Sequence, residues 1–184
     1  MVEFEKLSKE IKGLISEWES KLLSLPEDVI TVRRNSQNRN IKQIVGHLVD
    51  SASNNTHRLV HLQYRETPLV FPNYATFGNN DRWIAIQNYQ DENWENLVQL
   101  WKFSILHFAY IIRQINPEKL GNEWISGENS RVTLKEMVEY FMPHFKLHLG
   151  EIEELIEAPP QPSPKGGSKK NIYINQTVIE LNKI

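Results

Sequence analysis

Apolar residues recur every three or four positions in four long stretches of this chain, and this spacing constrains its fold more than any other feature. The stretches cover residues 2–25, 41–64, 91–115 and 134–157. A period near 3.6 residues places one apolar stripe on each helix, and such a stripe has to be buried against other helices. At 184 residues the chain is long enough for a core of its own. We therefore predict an all-α fold, a four-helix up-down bundle.

The first connection, residues 26–40, is polar and carries Arg33, Arg34 and Arg39. We interpret this basic cluster as solvated surface rather than as an anion site. The predicted helix that follows begins with Asn40 and Gln43, and the last one with Thr133 and Glu136. Both pairs have the spacing of a capping box, in which each side chain bonds to the other residue's backbone.

The second connection is a long aromatic loop, residues 65–81, which contains two prolines and has no helical period. Such a loop is typical either of a lid over a binding site or of a segment packed over one end of a bundle. We expect a short helix at residues 81–89 and a polar connection at residues 121–131.

The composition changes after Ala158. Residues 159–170 are rich in proline, glycine, serine and lysine, which predicts a tether without core-forming residues. Residues 171–184 are more apolar and favour a strand, and we expect them to dock on the bundle or on a neighbouring chain. The chain thus divides into a bundle domain, residues 1–158, and a tether with a docked tail, residues 159–184.

Charge and residue content exclude several classes of function. The formal net charge is -2, which gives no basis for binding nucleic acid. Cysteine is absent, so that any metal must be held by nitrogen and oxygen atoms. No apolar run is long enough to cross a membrane, and the first residues do not resemble a signal peptide. We expect a cytoplasmic protein with no membrane partner.

His144 and His148 stand four residues apart on the last predicted helix. Both imidazoles project from one face and can reach the same point beside the helix. Two nitrogens do not complete a metal site, and in a bundle the remaining ligands come from a neighbouring helix. We predict that His47, on the second long helix, joins them to hold one divalent metal per chain. Three histidines suit zinc, nickel, iron and copper, and they leave a coordination position open, as catalytic sites do.

His47 lies on a polar stripe that borders the apolar face of its helix and also contains Asp50 and Asn54. Either of these two residues is suited to orient a ligand histidine or an incoming nucleophile. Asp50 fits an exposed helix carboxylate equally well. We do not expect His57 or His107 to be ligands, since His57 is predicted to be exposed and His107 half-buried.

Two segments resemble the DinB/YfiT-like superfamily. Residues 44–51, Ile-Val-Gly-His-Leu-Val-Asp-Ser, are followed by Asn54 and Arg58 and are similar to the second helix of that family. Residues 143–152, Pro-His-Phe-Lys-Leu-His-Leu-Gly-Glu-Ile, are similar to its last helix, which carries a pair of histidines four residues apart. The likeness covers about residues 41–155. A proline beside the first histidine and the tail after Ala158 depart from the family pattern.

The resemblance implies a four-helix bundle, often dimeric, with nickel or zinc on three histidines, which here would be His47, His144 and His148. It further implies a metal-dependent hydrolase, or an enzyme that transfers a low-molecular-weight thiol such as bacillithiol, mycothiol or glutathione. We thus expect a homodimeric enzyme acting on a small electrophile, whose metal activates a water or a thiol. The alternative is a non-catalytic, stress-associated or scaffold bundle with a vestigial metal site.

Overall fold

The computed structural model of the chain describes residues 4–76, 78–127 and 130–158. In these residues we number the helices and strands in chain order. The α-helices are α1 (Glu5–Leu23), α2 (Glu27–Thr31), α3 (Ile41–Tyr64), α4 (Asn79–Gln87), α5 (Trp94–Ile111) and α6 (Leu134–Glu157). The strands are β1 (Leu69–Val70), β2 (Glu123–Gly127) and β3 (Ser130–Thr133). Short 3-10 turns at Ile112–Gln114 and Pro117–Lys119 follow α5.

Helices α1, α3, α5 and α6 pack around one apolar core, which confirms the predicted four-helix bundle. Each of the four helices contributes large buried side chains, for example Ile15, Leu48, Trp101 and Phe145. Burial of a side chain of this size stabilises a fold by about 1.5–3 kcal/mol, and the apolar stripes of the sequence therefore account for the association of the helices.

Capping boxes set the start of the two helices that carry the candidate ligands. The Asn40 side chain accepts a hydrogen bond from the Gln43 backbone, and the Gln43 side chain bonds back to Asn40. Thr133 and Glu136 form the same reciprocal pair at α6. Both predicted helices are confirmed with these starting residues. Helix α6 continues through Pro143 as a single helix.

Three contacts between helix ends establish the directions of the four long helices. They join Ser8 Oγ to Ala109 O (2.6 Å), Asn116 N to Gln63 Oε1 (3.0 Å) and Asn122 Nδ2 to Leu62 O (2.6 Å). The start of α1 thus lies beside the end of α5, the ends of α3 and α5 lie together, and the end of α3 lies beside the start of α6. Helices α1 and α6 point one way, and α3 and α5 point the other way.

These directions refine the up-down description, because α3 and α5 follow each other in the bundle and yet run parallel. A parallel pair needs a crossover that returns the chain to the starting end of the bundle. Residues 65–93, which contain β1 and α4, provide that crossover. The aromatic loop, as part of this crossover, therefore runs along the length of the bundle and does not only cover one end of it. The short helix expected at residues 81–89 is confirmed, with α4 at Asn79–Gln87.

The sequence did not predict the small sheet. Strand β2 pairs parallel to β1 and antiparallel to β3, with Trp124 opposite both Leu69 and Val132. The connection expected to be merely polar at residues 121–131 is therefore a β-hairpin in part. Strand β1 has only two residues and pairs with a segment more than fifty positions away, so no local pattern marks it.

The connection at residues 26–40 contains helix α2, which the sequence did not predict. Of the three arginines in this connection, which we interpreted as solvated surface, Arg39 does not fit that interpretation. The Arg39 side chain is 5% exposed and donates to Asp81 from Nε and Nη2, at 3.0 and 2.6 Å. Arg33 donates to the carbonyls of Leu155 and Ile156 and so covers the end of α6. Arg34 is exposed, as expected.

Helices of the described residues include none that is both long and apolar enough to cross a membrane. The predicted tether and docked tail, residues 159–184, lie outside the described residues.

Candidate metal centre

The structure brings His47 of α3 together with His144 and His148 of α6. The Nε2 atom of His144 lies 3.4 Å from that of His47 and 3.1 Å from that of His148. One nitrogen from each residue falls within a group whose members are at most 4.8 Å apart. This convergence follows from the antiparallel contact of the two helices, in which the early turns of α3 face the middle turns of α6.

The spacing of the three nitrogens fits a metal ion. Two nitrogen ligands on a tetrahedral metal are about 3.3 Å apart when each metal–nitrogen bond is about 2.0–2.1 Å. The separations of 3.1 and 3.4 Å around His144 match that value. Among the described residues this is the one group of three or more potential ligands so arranged, and it contains no carboxylate. A tetrahedral ion held here would keep its fourth position for a water or a substrate.

Contacts on the far side of two imidazoles hold their Nε2 atoms towards the common point. The Nδ1 atom of His148 lies 2.9 Å from a carboxylate oxygen of Glu151. The Nδ1 atom of His47 lies 2.8 Å from the hydroxyl of Tyr74, which also donates to the His47 carbonyl at 3.4 Å. With the proton on Nδ1 in both rings, each Nε2 presents its lone pair, which is the tautomer that binds a metal.

Burial favours the neutral imidazoles that a metal requires. His47 and His148 are buried, and His144 keeps partial exposure. Burial lowers the pKa of His47 and His144 well below the ordinary histidine value, and the neighbouring histidines and Arg39 act in the same direction. Neutral imidazole does not have to release a proton before it coordinates, so these rings are ready to bind near neutral pH.

Asp50, which the sequence left as either an orienting group or an exposed carboxylate, is 2% exposed. Its Oδ1 atom accepts from the Tyr89 hydroxyl at 2.7 Å and from Gln87 Nε2 at 2.5 Å, and its Oδ2 atom is buried without a hydrogen-bond partner. Burial raises the pKa of Asp50 to about 6, although both donors oppose the shift. Asn54 donates to the backbone carbonyl of Asp50 at 2.9 Å. None of these hydrogen bonds is made to His47, His144 or His148.

Gly46 explains how Tyr89 approaches α3 beside a candidate ligand. A Cβ atom at this position would stand 2.1 Å from Cδ2 of Tyr89, which is impossible without displacement of the ring. The glycine immediately before His47 therefore gives Tyr89 the space from which its hydroxyl reaches Asp50.

Sequence reasoning missed Tyr74 and Glu151. Glu151 follows His148 by three residues on the same helix, a spacing that brings side chains together and was readable from the sequence. Tyr74 lies in the aromatic loop, where no periodicity indicates which residue points inward. It is 3% exposed, and its ring packs at 5.2 Å on that of Trp83. The loop thus forms one wall of the candidate metal centre.

The remaining histidines of the described residues do not join this group. His57 and His107 are exposed, which agrees with the prediction for His57 and corrects that for His107. His61 bonds through Nδ1 to the hydroxyl of Tyr64 on its own helix.

Comparisons with known proteins agree with this architecture. The structure is similar to that of YfiT from Bacillus subtilis, with a TM-score of 0.70 and 15% sequence identity over 84% of this chain and 87% of that chain. YfiT is described as a probable metal-dependent hydrolase with an unusual four-helix bundle topology. A search of curated proteins found no match. The family profile of the DinB superfamily matches residues 14–152. The chain therefore belongs to the DinB superfamily, as its resemblance in sequence indicated.

Proposed function

We propose that the protein is a metal-dependent enzyme in which His47, His144 and His148 hold one divalent ion. The observation that carries the proposal is the convergence of three Nε2 atoms, two of them from rings whose Nδ1 atoms are fixed by Tyr74 and Glu151. A surface pair of histidines has no need of such anchors. Buried imidazoles that are held in one tautomer and directed at one point constitute a ligand set.

The metal would supply Lewis-acid chemistry, lowering the pKa of a bound water or thiol so that the nucleophile is an anion near neutral pH. The three histidines are neutral ligands, so that the positive charge of the ion is fully available for this purpose. Glu151 and Tyr74 would keep the ligands oriented. Asp50 and Asn54, on the same stripe of α3, are proposed to orient a ligand histidine or the incoming nucleophile.

Water is the first nucleophile to test, because the similar structure of YfiT is described as that of a probable metal-dependent hydrolase. A low-molecular-weight thiol is the second. The chain contains no cysteine, and a thiol would therefore have to arrive as a co-substrate. In both reactions the partner is a small electrophilic molecule.

Zinc and nickel are the proposed metals, and a cytoplasmic homodimer is the proposed form of the protein. Three large apolar side chains along the outer face of α5, those of Leu100, Phe103 and Tyr110, are between 47% and 60% exposed. Their spacing of three and seven residues puts them on one stripe, which is suited to contact a second copy. Sedimentation of the purified protein tests the dimer directly.

Elemental analysis of protein purified without an affinity tag tests the metal site. We expect about one divalent metal per chain in the wild type and none in His47→Ala or His144→Ala, because a site with three protein ligands does not survive the loss of one. His107→Ala is the matched control and should keep its metal. If the wild type takes up no stoichiometric zinc or nickel, the scaffold alternative is favoured over the enzyme.

A further inference from the structure

Arg58 of α3 is a buried cation without an acidic partner. Arg58 is 3% exposed, and no carboxylate of the described residues lies within 4.0 Å of its guanidinium. Its Nη1 atom donates to Asn55 Oδ1 at 3.2 Å, and its guanidinium lies 4.3 Å from the ring centre of Trp124. A buried guanidinium is normally paired with a carboxylate, because removing its charge from water is costly.

The contacts that Arg58 does make compensate for only part of that cost. One neutral amide oxygen and one aromatic face are its protein contacts, and its other N–H groups keep a small contact with solvent at the surface depressions beside it. Burial lowers the pKa of Arg58 to about 10, in agreement with this incomplete compensation. Arg39, in contrast, is equally buried and has Asp81 as its partner. Arg58 therefore retains unused capacity to bind an anion.

Two depressions on the surface open beside Arg58 and share its side chain and that of Phe71 as lining. One, of about 280 Å³, is bounded by Asn54, Pro72 and Trp83, and the other, of about 200 Å³, by strand β2 and the middle of the aromatic loop. We refer to the two together as the Arg58 cleft. Its walls are mainly aromatic and apolar, Arg58 carries the permanent positive charge among them, and His57 also lines the larger depression.

The Arg58 cleft adjoins the candidate metal centre. Trp83 of the cleft packs on Tyr74, and Tyr74 bonds to His47. Eleven residues separate His47 from Arg58, which in an α-helix amounts to a rotation of only about 20° and an advance of roughly 16 Å. The two residues therefore lie on the same face of α3, with Asn54 between them. A molecule that reached both would have to be elongated.

We propose that Arg58 and its cleft form a subsite for the carboxylate or phosphate group of an elongated small molecule with an apolar body. The guanidinium is suited to both anions because its forked N–H groups match the geometry of two oxygens. Phe71 and Trp83 would contact the apolar part. The role of the subsite in catalysis rests on the proposed function, whereas its capacity to bind an anion does not.

The test uses the full chain freed of metal with a chelator, so that no anion is held by an ion at the histidines. The probes are 4-phenylbutyrate, phenyl phosphate and the uncharged 4-phenylbutanol. Binding is followed through the indole N–H signals of Trp83 and Trp124 in a nitrogen–proton correlation spectrum. We expect the two anions to shift these signals and the alcohol to bind about tenfold to a hundredfold more weakly, since it lacks the charge that Arg58 recognises.

Arg58→Gln should reduce the affinity for both anions to that for the alcohol, and Arg65→Gln, an exposed arginine past the end of the same helix, should leave it unchanged. Arg58→Lys keeps the charge and loses the fork, and we expect an intermediate affinity. Equal binding of anion and alcohol to the wild type, or no binding of either anion, overturns the proposal without the need for any variant.

The outcome is separable from that of the metal analysis. If the protein takes up a metal but the metal-free form binds neither anion, the subsite is wrong and the metal-dependent function stands. If the protein takes up no metal but binds the anions through Arg58, the enzyme proposal fails and the cleft remains a binding site.

Discussion

Two pairs of histidines in this protein have the same spacing and different surroundings. His144 and His148 on α6 are four residues apart with ring centres separated by 4.5 Å, and His57 and His61 on α3 are four residues apart with ring centres separated by 4.3 Å. By spacing alone the two pairs are indistinguishable. The α6 pair meets a third histidine from another helix, whereas the α3 pair meets the ring of Phe71.

The difference teaches that helical spacing supplies a face and tertiary packing supplies a site. The α6 pair is placed against His47 by the antiparallel contact of two helices, and anchors on Nδ1 fix the direction of the lone pairs. The α3 pair borders a groove of about 440 Å³ that is also lined by His107, yet the three rings do not form a ligand group. Proximity of histidines without convergence leaves ordinary surface side chains.

The largest effect expected from this comparison is on metal affinity. His148→Ala removes a ligand and should weaken zinc binding by more than about a hundredfold, beyond the cost of losing an outer contact. His61→Ala removes the equivalent member of the other pair and should leave the affinity unchanged. Competition with a chromogenic chelator measures both. If His148→Ala and His61→Ala bind zinc with equal affinity, the α6 pair does not differ from the α3 pair as a source of metal ligands.

The second effect concerns the free energy of unfolding, which should depend on pH because Asp50 is buried on the inner side of α3. Its pKa in the folded protein is raised from 3.8 to about 6. A carboxyl whose folded pKa is raised contributes most stability below pH 4 and loses it as the pH rises through 6. Relative to Asp50→Asn, which keeps the oxygen that Tyr89 and Gln87 contact, the wild type should lose about 3 kcal/mol of unfolding free energy over that range.

Urea unfolding of the metal-free proteins at a series of pH values provides this measurement. Groups other than Asp50 cancel in the difference between the two curves. A difference that does not change between pH 4 and 7 would mean that Asp50 titrates in the folded protein as it does in the unfolded chain.

Anchors on Nδ1 should have a smaller effect than the ligands. Glu151→Gln and Tyr74→Phe each weaken or remove a contact that orients a ring, and we expect zinc affinity to fall by about tenfold to a hundredfold in each. The control is Glu154→Gln, because Glu154 is an exposed carboxylate of the same helix, three residues after Glu151. If the anchor variants bind zinc as tightly as the control does, the convergence of the three Nε2 atoms is enough for zinc binding, and the contacts of Tyr74 and Glu151 to Nδ1 are not needed.

The smallest effect is expected for the α3 pair itself. Replacing both His57 and His61 by alanine should leave the metal content unchanged and alter the free energy of unfolding by less than about 0.5 kcal/mol, as for most surface substitutions. Thermal unfolding combined with elemental analysis measures both quantities. A lost metal in this double variant would show that the α3 pair contributes to metal binding and would contradict the distinction between the two pairs.

Local signals account for the parts of the fold that could be predicted. Helices α3 and α6 begin where Asn40 and Thr133 cap them, and their apolar stripes specify the bundle. The place of β1 in the sheet could not be predicted, because Leu69 pairs with Trp124, a residue 55 positions further along the chain. The parallel direction of α3 and α5 depends on how the crossover packs, which helical periodicity does not encode.

The same division holds within the candidate metal centre. His144 and His148 were readable from their spacing, and His47 followed from the expectation that bundle sites combine neighbouring helices. Glu151 was readable in principle, three residues after His148. Tyr74 was not, because its position depends on the path of an irregular loop. Nor was the unpaired state of Arg58, since only packing determines which carboxylates come near it.

His47 and His144 are 97 residues apart in the chain. A metal bound by both would act as a cross-link that closes a loop containing β1, α4, α5 and the β-hairpin. Such a ligand set cannot assemble in the unfolded chain, so the ion would bind only after α6, the last helix of the bundle, has docked on α3. Metal uptake would then report the final step of folding, and the bound ion would oppose its reversal.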